Sequence, residues 1–216
     1  MNGNPRDGWL DRLLLRRLSA PLTERLLRTP VSPNAVTLAG LACGVAGGLA
    51  LALPRPGGPA MGVLLLAASG VLDCCDGELA RRRQAVSRAG HVLDVVSDTL
   101  VHLAVFAGVA LVLRRAGTLP DGRWLAALAA GALASFAAIT WSEASESRRR
   151  QVACWENRVL DGVLSPLTTR DWYVFPVLAA LAGRLDALLV GTAVGSHVFW
   201  IGVVVLVGRA LERARA

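Results

Sequence analysis

Apolar residues along this 216-residue chain are grouped in six long runs separated by short polar segments. The runs cover residues 34–53, 60–80, 90–113, 122–141, 171–183 and 187–208. About 20 apolar helical residues cross the hydrocarbon core of a bilayer, so each run predicts a membrane-spanning helix, although the fifth is short for a span. We therefore predict an all-α fold, with a bundle of six transmembrane helices over residues 32–210.

The first 30 residues have a different pattern, in which large apolar residues recur at helical spacing and arginines fill the gaps. The apolar positions of this pattern are Trp9, Leu10, Leu13, Leu14 and Leu18. They predict an amphipathic helix that lies in the membrane interface over residues 1–30, with a plain solvated helix as the alternative. The charges interrupt any apolar core of a signal peptide, so we expect no cleavage there.

Composition agrees with a membrane protein, because 54% of the residues are hydrophobic and only 18% are charged. The six runs leave little length for a soluble domain, which predicts a single membrane domain over residues 1–216. All 23 basic residues are arginines, and 18 of them fall on the side of the membrane that holds the N-terminus. The positive-inside rule then predicts a protein of the cytoplasmic membrane with both termini on the cytoplasmic side. The arginines on that side would contact anionic lipid headgroups.

Four aspartates lie where the second and third runs meet, in the stretch VLDCCDGELARRRQAVSRAGHVLDVVSD at 71–98. Asp73 and Asp76 are three residues apart near the end of one predicted helix, so they share a face. Asp94 and Asp98 are four residues apart near the start of the next, and an antiparallel hairpin lets the two pairs face each other. Unpaired charges at this depth are costly, so a cation is the expected partner. Oxygen ligands alone suit Mg²⁺ or Mn²⁺ and not zinc.

The same aspartates belong to a longer pattern of fixed spacing. It reads Asp73-x2-Asp76-Gly77-x2-Ala80-Arg81-x8-Gly90-x3-Asp94-x3-Asp98. This pattern resembles the signature of the CDP-alcohol phosphatidyltransferases, and SPNAVTLAG at 32–40 resembles the segment that opens the first transmembrane helix in that family. The six-helix layout with a preceding amphipathic helix is also similar to the family's architecture.

The resemblance implies transfer of a phosphatidyl or similar phosphoryl group from a CDP-linked lipid to a small alcohol, with release of CMP. It implies that Asp73, Asp76 and Asp94 hold two divalent ions and that Asp98 is both a ligand and the general base. The residues that would contact the CDP-lipid are Ser32, Pro33, Asn34, Ala35, Gly77, Arg81 and Ser87. It further implies a homodimer with its active site on the cytoplasmic side, and no nucleic-acid partner is expected.

The acceptor is less well defined by the sequence. An arginine cluster between the fourth and fifth runs would suit a phosphate-bearing acceptor such as inositol phosphate or glycerol phosphate, while fixing topology is an equally good explanation. The candidate acceptor-binding residues are Arg148, Arg149, Arg150 and Arg170. Thr99 follows Asp98 where the bacterial inositol-phosphate and glycerol-phosphate branches commonly have arginine, so an enzyme that accepts serine remains an alternative.

Two other classes of membrane protein also use intramembrane carboxylates. Prenyltransferases bind a lipid diphosphate through two aspartate-rich clusters, but those clusters lie far apart in sequence, whereas 17 residues separate Asp76 from Asp94. A cation transporter would not need the Gly77 and Arg81 spacing, and its carboxylates would lie nearer the midplane. Both are weaker interpretations than the transferase.

Overall fold

The computed structural model describes residues 15–54, 57–149, 151, 154–160, 179 and 182–215, and this part of the chain contains helices and no strand. The helices are α1 (Arg16–Leu27), α2 (Pro33–Leu51), α3 (Gly58–Arg82), α4 (Arg88–Arg115), α5 (Gly122–Ala144), α6 (Glu146–Arg149) and α7 (Leu185–Arg213). Residues 155–160 are also helical. The chain divides into two compact units, Met1–Thr118 and Leu119–Ala216.

Five of these helices, α2, α3, α4, α5 and α7, are long and apolar enough to cross a membrane. The all-α prediction is therefore confirmed, and the five helices coincide with five of the six apolar runs. The remaining run, 171–183, lies almost wholly outside the described residues. A count of six spans and a single domain over the whole chain stay predictions.

Helix α1 occupies the second half of the segment predicted to be amphipathic. Its leucines Leu22, Leu26 and Leu27 pack against a buried cluster formed by Val36, Cys75 and Leu79. The apolar side of α1 is thus covered in part by α3. Residues 1–14, which include most of the predicted apolar face, lie outside the described part of the chain, so a helix in the membrane interface stays a prediction.

Helix α2 is the centre of the first unit, because small residues let α3 and α4 approach it closely. A Cβ at Gly47 would lie 3.0 Å from the Gly62 carbonyl oxygen of α3, and one at Gly48 would lie 2.6 Å from the Ala104 carbonyl carbon of α4. A Cβ at Gly44 would meet side chains of both neighbours. The glycines of the GVAGG segment therefore serve packing within the chain.

These contacts fix the register of the three helices. Gly44 lies opposite Val101 and Gly48 lies opposite Val105, so α2 and α4 run parallel. Gly40 lies against Leu72 and Gly47 lies against Leu66, so α3 runs antiparallel to α2. One helical turn before Gly40 on α2, at Thr37, the same register reaches Asp76 of α3 and Asp94 of α4. The aspartates therefore lie at the end of the glycine-lined seam.

The connection between α4 and α5 is short, as its turn residues predict. Gly117 has a φ of +70°, a backbone conformation that glycine adopts without steric cost. Asp121 caps α5 by accepting a hydrogen bond from the Arg123 backbone N–H at 3.0 Å. This bond and the contact with the Arg123 guanidinium lower the pKa of Asp121. The capping carboxylate therefore stays ionised into the acid range.

In the second unit, polar side chains join α5 to α7. The Ser135 hydroxyl donates to the Ser196 carbonyl at 3.2 Å. His197 Nε2 lies 3.0 Å from the Ala127 carbonyl oxygen, and the Trp200 indole donates to His197 Nδ1 at 3.0 Å. Because the Trp200 donor makes Nδ1 an acceptor, the proton of a neutral His197 lies on Nε2 and points at α5. These hydrogen bonds between α5 and α7 thus help to define how the two helices pack, which apolar side chains alone would specify less well.

Candidate functional site

Three of the four predicted aspartates bring their carboxylates together. Asp73 and Asp76 lie near the end of α3, and Asp94 lies near the start of α4. One carboxylate oxygen from each lies within 4.8 Å of the others. Asp98 follows Asp94 by one turn on α4 and is half-buried, but it is not one of the three that meet at this distance. The centre of the site is therefore a group of three carboxylates.

The most buried member of this group is Asp76, which is only 5% exposed. The Thr37 hydroxyl of α2 faces its carboxylate. The Oδ2 atom of Asp76 is buried and has no hydrogen-bond partner among the residues that the structure describes. A buried carboxylate oxygen without a partner is costly, so this atom is suited to a ligand that the protein itself does not supply.

A divalent cation fits this arrangement. Three carboxylates held this close would repel one another strongly unless a positive charge lay between them. All three offer oxygen, the ligand that Mg²⁺ and Mn²⁺ prefer, and no described residue competes for Asp76 Oδ2 through a hydrogen bond. The group of Asp73, Asp76 and Asp94 is thus a candidate metal centre.

Two helix N-termini, here called the rim, lie at the same end of the first unit as this centre, because α2 begins four residues before Thr37 and α4 begins six residues before Asp94. Ser32 caps α2 by accepting a hydrogen bond from the Ala35 N–H at 3.2 Å, and Pro33 occupies the first helical position. Ser87 caps α4 in the same way, accepting from the Gly90 N–H at 3.0 Å. Helix N-termini carry partial positive charge and point N–H groups outward, which suits phosphate oxygens.

Close contact joins the first turn of α2 to the first turn of α4. A Cβ at Gly90 would lie 3.1 Å from Ser87 Oγ and 3.3 Å from Asn34 Oδ1. The Asn34 side chain of α2 therefore reaches the first turn of α4, and glycine at position 90 leaves room for it. The predicted CDP-binding residues of the two sequence segments are neighbours in the folded chain.

The two remaining predicted CDP-binding residues lie on α3, close to the aspartates. A Cβ at Gly77 would be 3.3 Å from Nη1 of Arg81, so the guanidinium lies over the glycine. Arg81 is exposed, and its guanidinium folds back over the helix turn that contains Gly77. A cation at this position complements a negatively charged ligand bound beside the aspartates.

The predicted acceptor-binding arginines are only partly described. Arg148 is exposed in α6, in the second unit, and Arg149 belongs to the same short helix. Arg150 and Arg170 lie outside the described residues. Their part in binding an acceptor stays a prediction.

Two polar residues at the site were not among the predicted ones. Thr37 faces Asp76, and Ser97 lies between Asp94 and Asp98 with a buried hydroxyl that has no hydrogen-bond partner in the described part of the chain. The register of α2 and α4 places Ser97 at the level of Gly40, one turn below the carboxylates. Spacing alone would not distinguish these small residues from ordinary packing residues, although a polar residue on the seam-facing side of each helix was a usable signal.

Comparison with known proteins gives matches over much of the chain. The phosphatidylinositol phosphate synthase of Mycobacterium marinum is 36% identical over 105 residues, which cover 47% of this chain and 42% of the relative. The synthase of Mycolicibacterium smegmatis is 39% identical over 93 residues, which cover 43% and 41%. The chain thus matches less than half the length of these curated relatives.

A crystal structure of the Mycobacterium tuberculosis phosphatidylinositol phosphate synthase with CDP-DAG bound has a TM-score of 0.48 and 20% sequence identity, covering 92% of this chain and 94% of that one. The family model described as CDP-alcohol phosphatidyltransferase matches residues 30–208. That range contains every described residue of the candidate metal centre and of its rim. The chain therefore belongs to the CDP-alcohol phosphatidyltransferase family.

Proposed function

We propose that this chain is an integral membrane enzyme that transfers the phosphatidyl group of a CDP-linked lipid, such as CDP-diacylglycerol, to the hydroxyl of a small alcohol and releases CMP. The observation that carries the proposal is the meeting of the Asp73, Asp76 and Asp94 carboxylates within 4.8 Å. Family membership supports the same reaction class. The reaction has a place in phospholipid biosynthesis, where the lipid tails stay in the bilayer while the nucleotide is bound at its surface.

The three carboxylates would hold Mg²⁺ or Mn²⁺, and Asp98 would complete a site for two ions. Bound divalent ions would neutralise the diphosphate and stabilise the departing CMP. The buried Oδ2 of Asp76 supports this assignment, since it has no competing partner in the described part of the chain.

The chain's own residues would bind the donor and handle the proton. The caps at Ser32 and Ser87 would direct N–H groups at the phosphates, and Arg81 would add a charged donor. The alcohol oxygen would form a bond to the phosphorus that carries the lipid. The bond from that phosphorus to the bridging oxygen would break, and CMP would leave with the electron pair. Asp98 would accept the hydroxyl proton as general base.

The acceptor we propose is inositol phosphate, because the curated relatives cited above are named as phosphatidylinositol phosphate synthases. Arg148 to Arg150 and Arg170 would bind its phosphate. Glycerol phosphate and serine are the alternatives. We also propose that the site opens to the cytoplasm, because the arginines beside it follow the positive-inside pattern, and that the enzyme is a homodimer, as the family resemblance implies.

Purified protein in detergent, supplied with CDP-diacylglycerol and Mg²⁺, is expected to release CMP when one of four alcohols is added: inositol phosphate, glycerol phosphate, serine or inositol. Asp94→Ala should abolish this release, since it removes one of the three carboxylates. Asp186→Ala is the matched control, because Asp186 is a carboxylate in the first turn of α7, in the other unit. CMP release is followed by chromatography.

The outcomes separate the competing functions. Release with one alcohol, lost in Asp94→Ala and kept in Asp186→Ala, supports the transferase and identifies the acceptor. If no alcohol releases CMP but a cytidine nucleotide raises the thermal stability of the protein, the donor or acceptor is different from those proposed. If neither effect is seen, the transferase proposal is wrong, and a cation transporter becomes the better explanation.

A further inference from the structure

Arg83, which follows the last residue of α3, has its guanidinium turned toward the end of α1. Nη2 donates to the carbonyl oxygens of Leu26 at 2.8 Å and Thr29 at 2.6 Å, and Nη1 donates to that of Val31. The end of a helix carries partial negative charge, so a guanidinium is well suited to this position. One side chain thus binds three carbonyls, one in the last turn of α1 and two in the segment that follows it.

The position of these carbonyls connects Arg83 to the donor site. Val31 directly precedes Ser32, the cap of α2, and Asn34 follows in its first turn. On the other side, Arg83 begins the loop that ends at Ser87, the cap of α4. Arg83 therefore holds together the two turns that carry both caps of the rim.

The backbone beside Arg83 leaves little freedom for a substitute arrangement. Gln84 has a φ of +54°, which non-glycine residues rarely adopt, so the chain turns sharply straight after Arg83. The Ala85 N–H bonds back to the Ala80 carbonyl at 2.9 Å, which ends α3 firmly. The backbone of Arg83 is thus held in place, and its guanidinium extends from there to the turn before α2.

The neighbouring arginine provides a contrast. Arg82 also points at α1, but it pairs with the carboxylates of Glu24, which is exposed, and Glu78, which is half-buried. Exposed ion pairs contribute little, and nothing in this pair connects to the turn at Ser32. Arg82 thus bonds to side-chain carboxylates, whereas Arg83 bonds to backbone carbonyls of the segment that leads to Ser32.

We propose that Arg83 is a positioning residue for the CDP-lipid, which holds the Ser32–Asn34 turn against the α3–α4 loop so that both helix N-termini face the donor. Arg83 acts through the backbone and does not itself contact the nucleotide. This inference rests on the proposed function, because it assumes that the rim binds the CDP-lipid.

The test measures CMP release against CDP-diacylglycerol concentration for wild type, Arg83→Gln, Arg83→Lys and the control Arg82→Gln. Loss of a charge-assisted bond to the turn is expected to raise the half-saturating donor concentration of Arg83→Gln about tenfold, with the maximal rate changed less than about threefold. Arg83→Lys, which keeps the charge but not the fork of donors, should fall between wild type and Arg83→Gln. Arg82→Gln should match wild type.

A second readout uses binding without turnover. The CMP concentration that gives half of the maximal thermal stabilisation should rise in Arg83→Gln by the same factor as the half-saturating donor concentration. An unchanged half-saturating concentration in both Arg83 variants, even with a lower melting temperature, would overturn the positioning role and leave a structural one. If Arg83→Gln does not fold, Arg83→Lys decides between the same two results. Absence of CMP release and CMP stabilisation in wild type would instead refute the proposed function.

Discussion

Asp98→Asn is expected to slow CMP release by about 10²- to 10⁴-fold, the usual contribution of a general base. Asparagine keeps the size of the side chain but cannot take the proton of the attacking hydroxyl. The Asp73, Asp76 and Asp94 carboxylates meet without Asp98, so this change should leave their arrangement intact. Binding of metal and CDP-lipid should therefore be largely retained, as measured by Mn²⁺-dependent and CMP-dependent thermal stabilisation.

The matched comparison is Asp94→Asn, which should lose turnover and the stabilising effect of Mn²⁺ together. Single-turnover measurement of CMP release at saturating CDP-diacylglycerol separates the two variants. Undiminished release in Asp98→Asn would remove this residue from the mechanism. Loss of Mn²⁺ stabilisation in Asp98→Asn equal to that in Asp94→Asn would assign it to metal binding alone.

Gly48→Ala is expected to destabilise the first unit by about 1–3 kcal/mol or more, as overpacking does in a tightly packed core. The added Cβ would lie 2.6 Å from the Ala104 carbonyl carbon and 2.7 Å from the Val105 nitrogen. Both are backbone atoms of a helix, which cannot rotate away. The melting temperature in detergent, followed by circular dichroism, should fall by several degrees.

Gly195→Ala provides the control, because no described atom outside the adjoining backbone of α7 and the two neighbouring residues lies within 4 Å of the position its Cβ would take. The same substitution within α7 should leave the melting temperature unchanged or raise it slightly, since alanine is the better helix former. Equal melting temperatures for the Gly48 and Gly195 variants would show that α2 and α4 do not approach as closely as the structure indicates.

Much of the fold was predictable because a bilayer leaves few choices. A backbone that cannot bond to water must be helical, so run length alone predicts α2, α3, α4, α5 and α7. The spacing of the aspartates was also informative, since residues three or four apart share a helix face. Asp73, Asp76 and Asp94 meet as an antiparallel hairpin requires.

The register between helices could not be predicted in the same way. Lipid and neighbouring helices are equally apolar, so the GVAGG segment could equally have faced α4 or a second protomer. The predicted apolar face of the N-terminal helix ended at Leu18, so the contact of Leu22 and Leu26 with the α3 cluster was not predicted either. Thr37 and Ser97 were missed because sequence spacing does not separate such polar residues from ordinary packing residues, whereas the register places Thr37 beside Asp76 and Ser97 one turn below the carboxylates.

Because α1 covers Cys75 of α3, the reactivity of this cysteine can be used to measure how often α1 moves away from α3. Cys75 is fully buried, and its thiol donates to the Ser19 carbonyl of α1 at 3.5 Å. A maleimide can reach this sulphur only when α1 leaves its place, so the alkylation rate of Cys75 in a protein lacking Cys43, Cys74 and Cys154 reports how often α1 detaches. Because the chain from α1 leads directly to Ser32, the same rate would indicate whether donor binding holds the N-terminal helix in place.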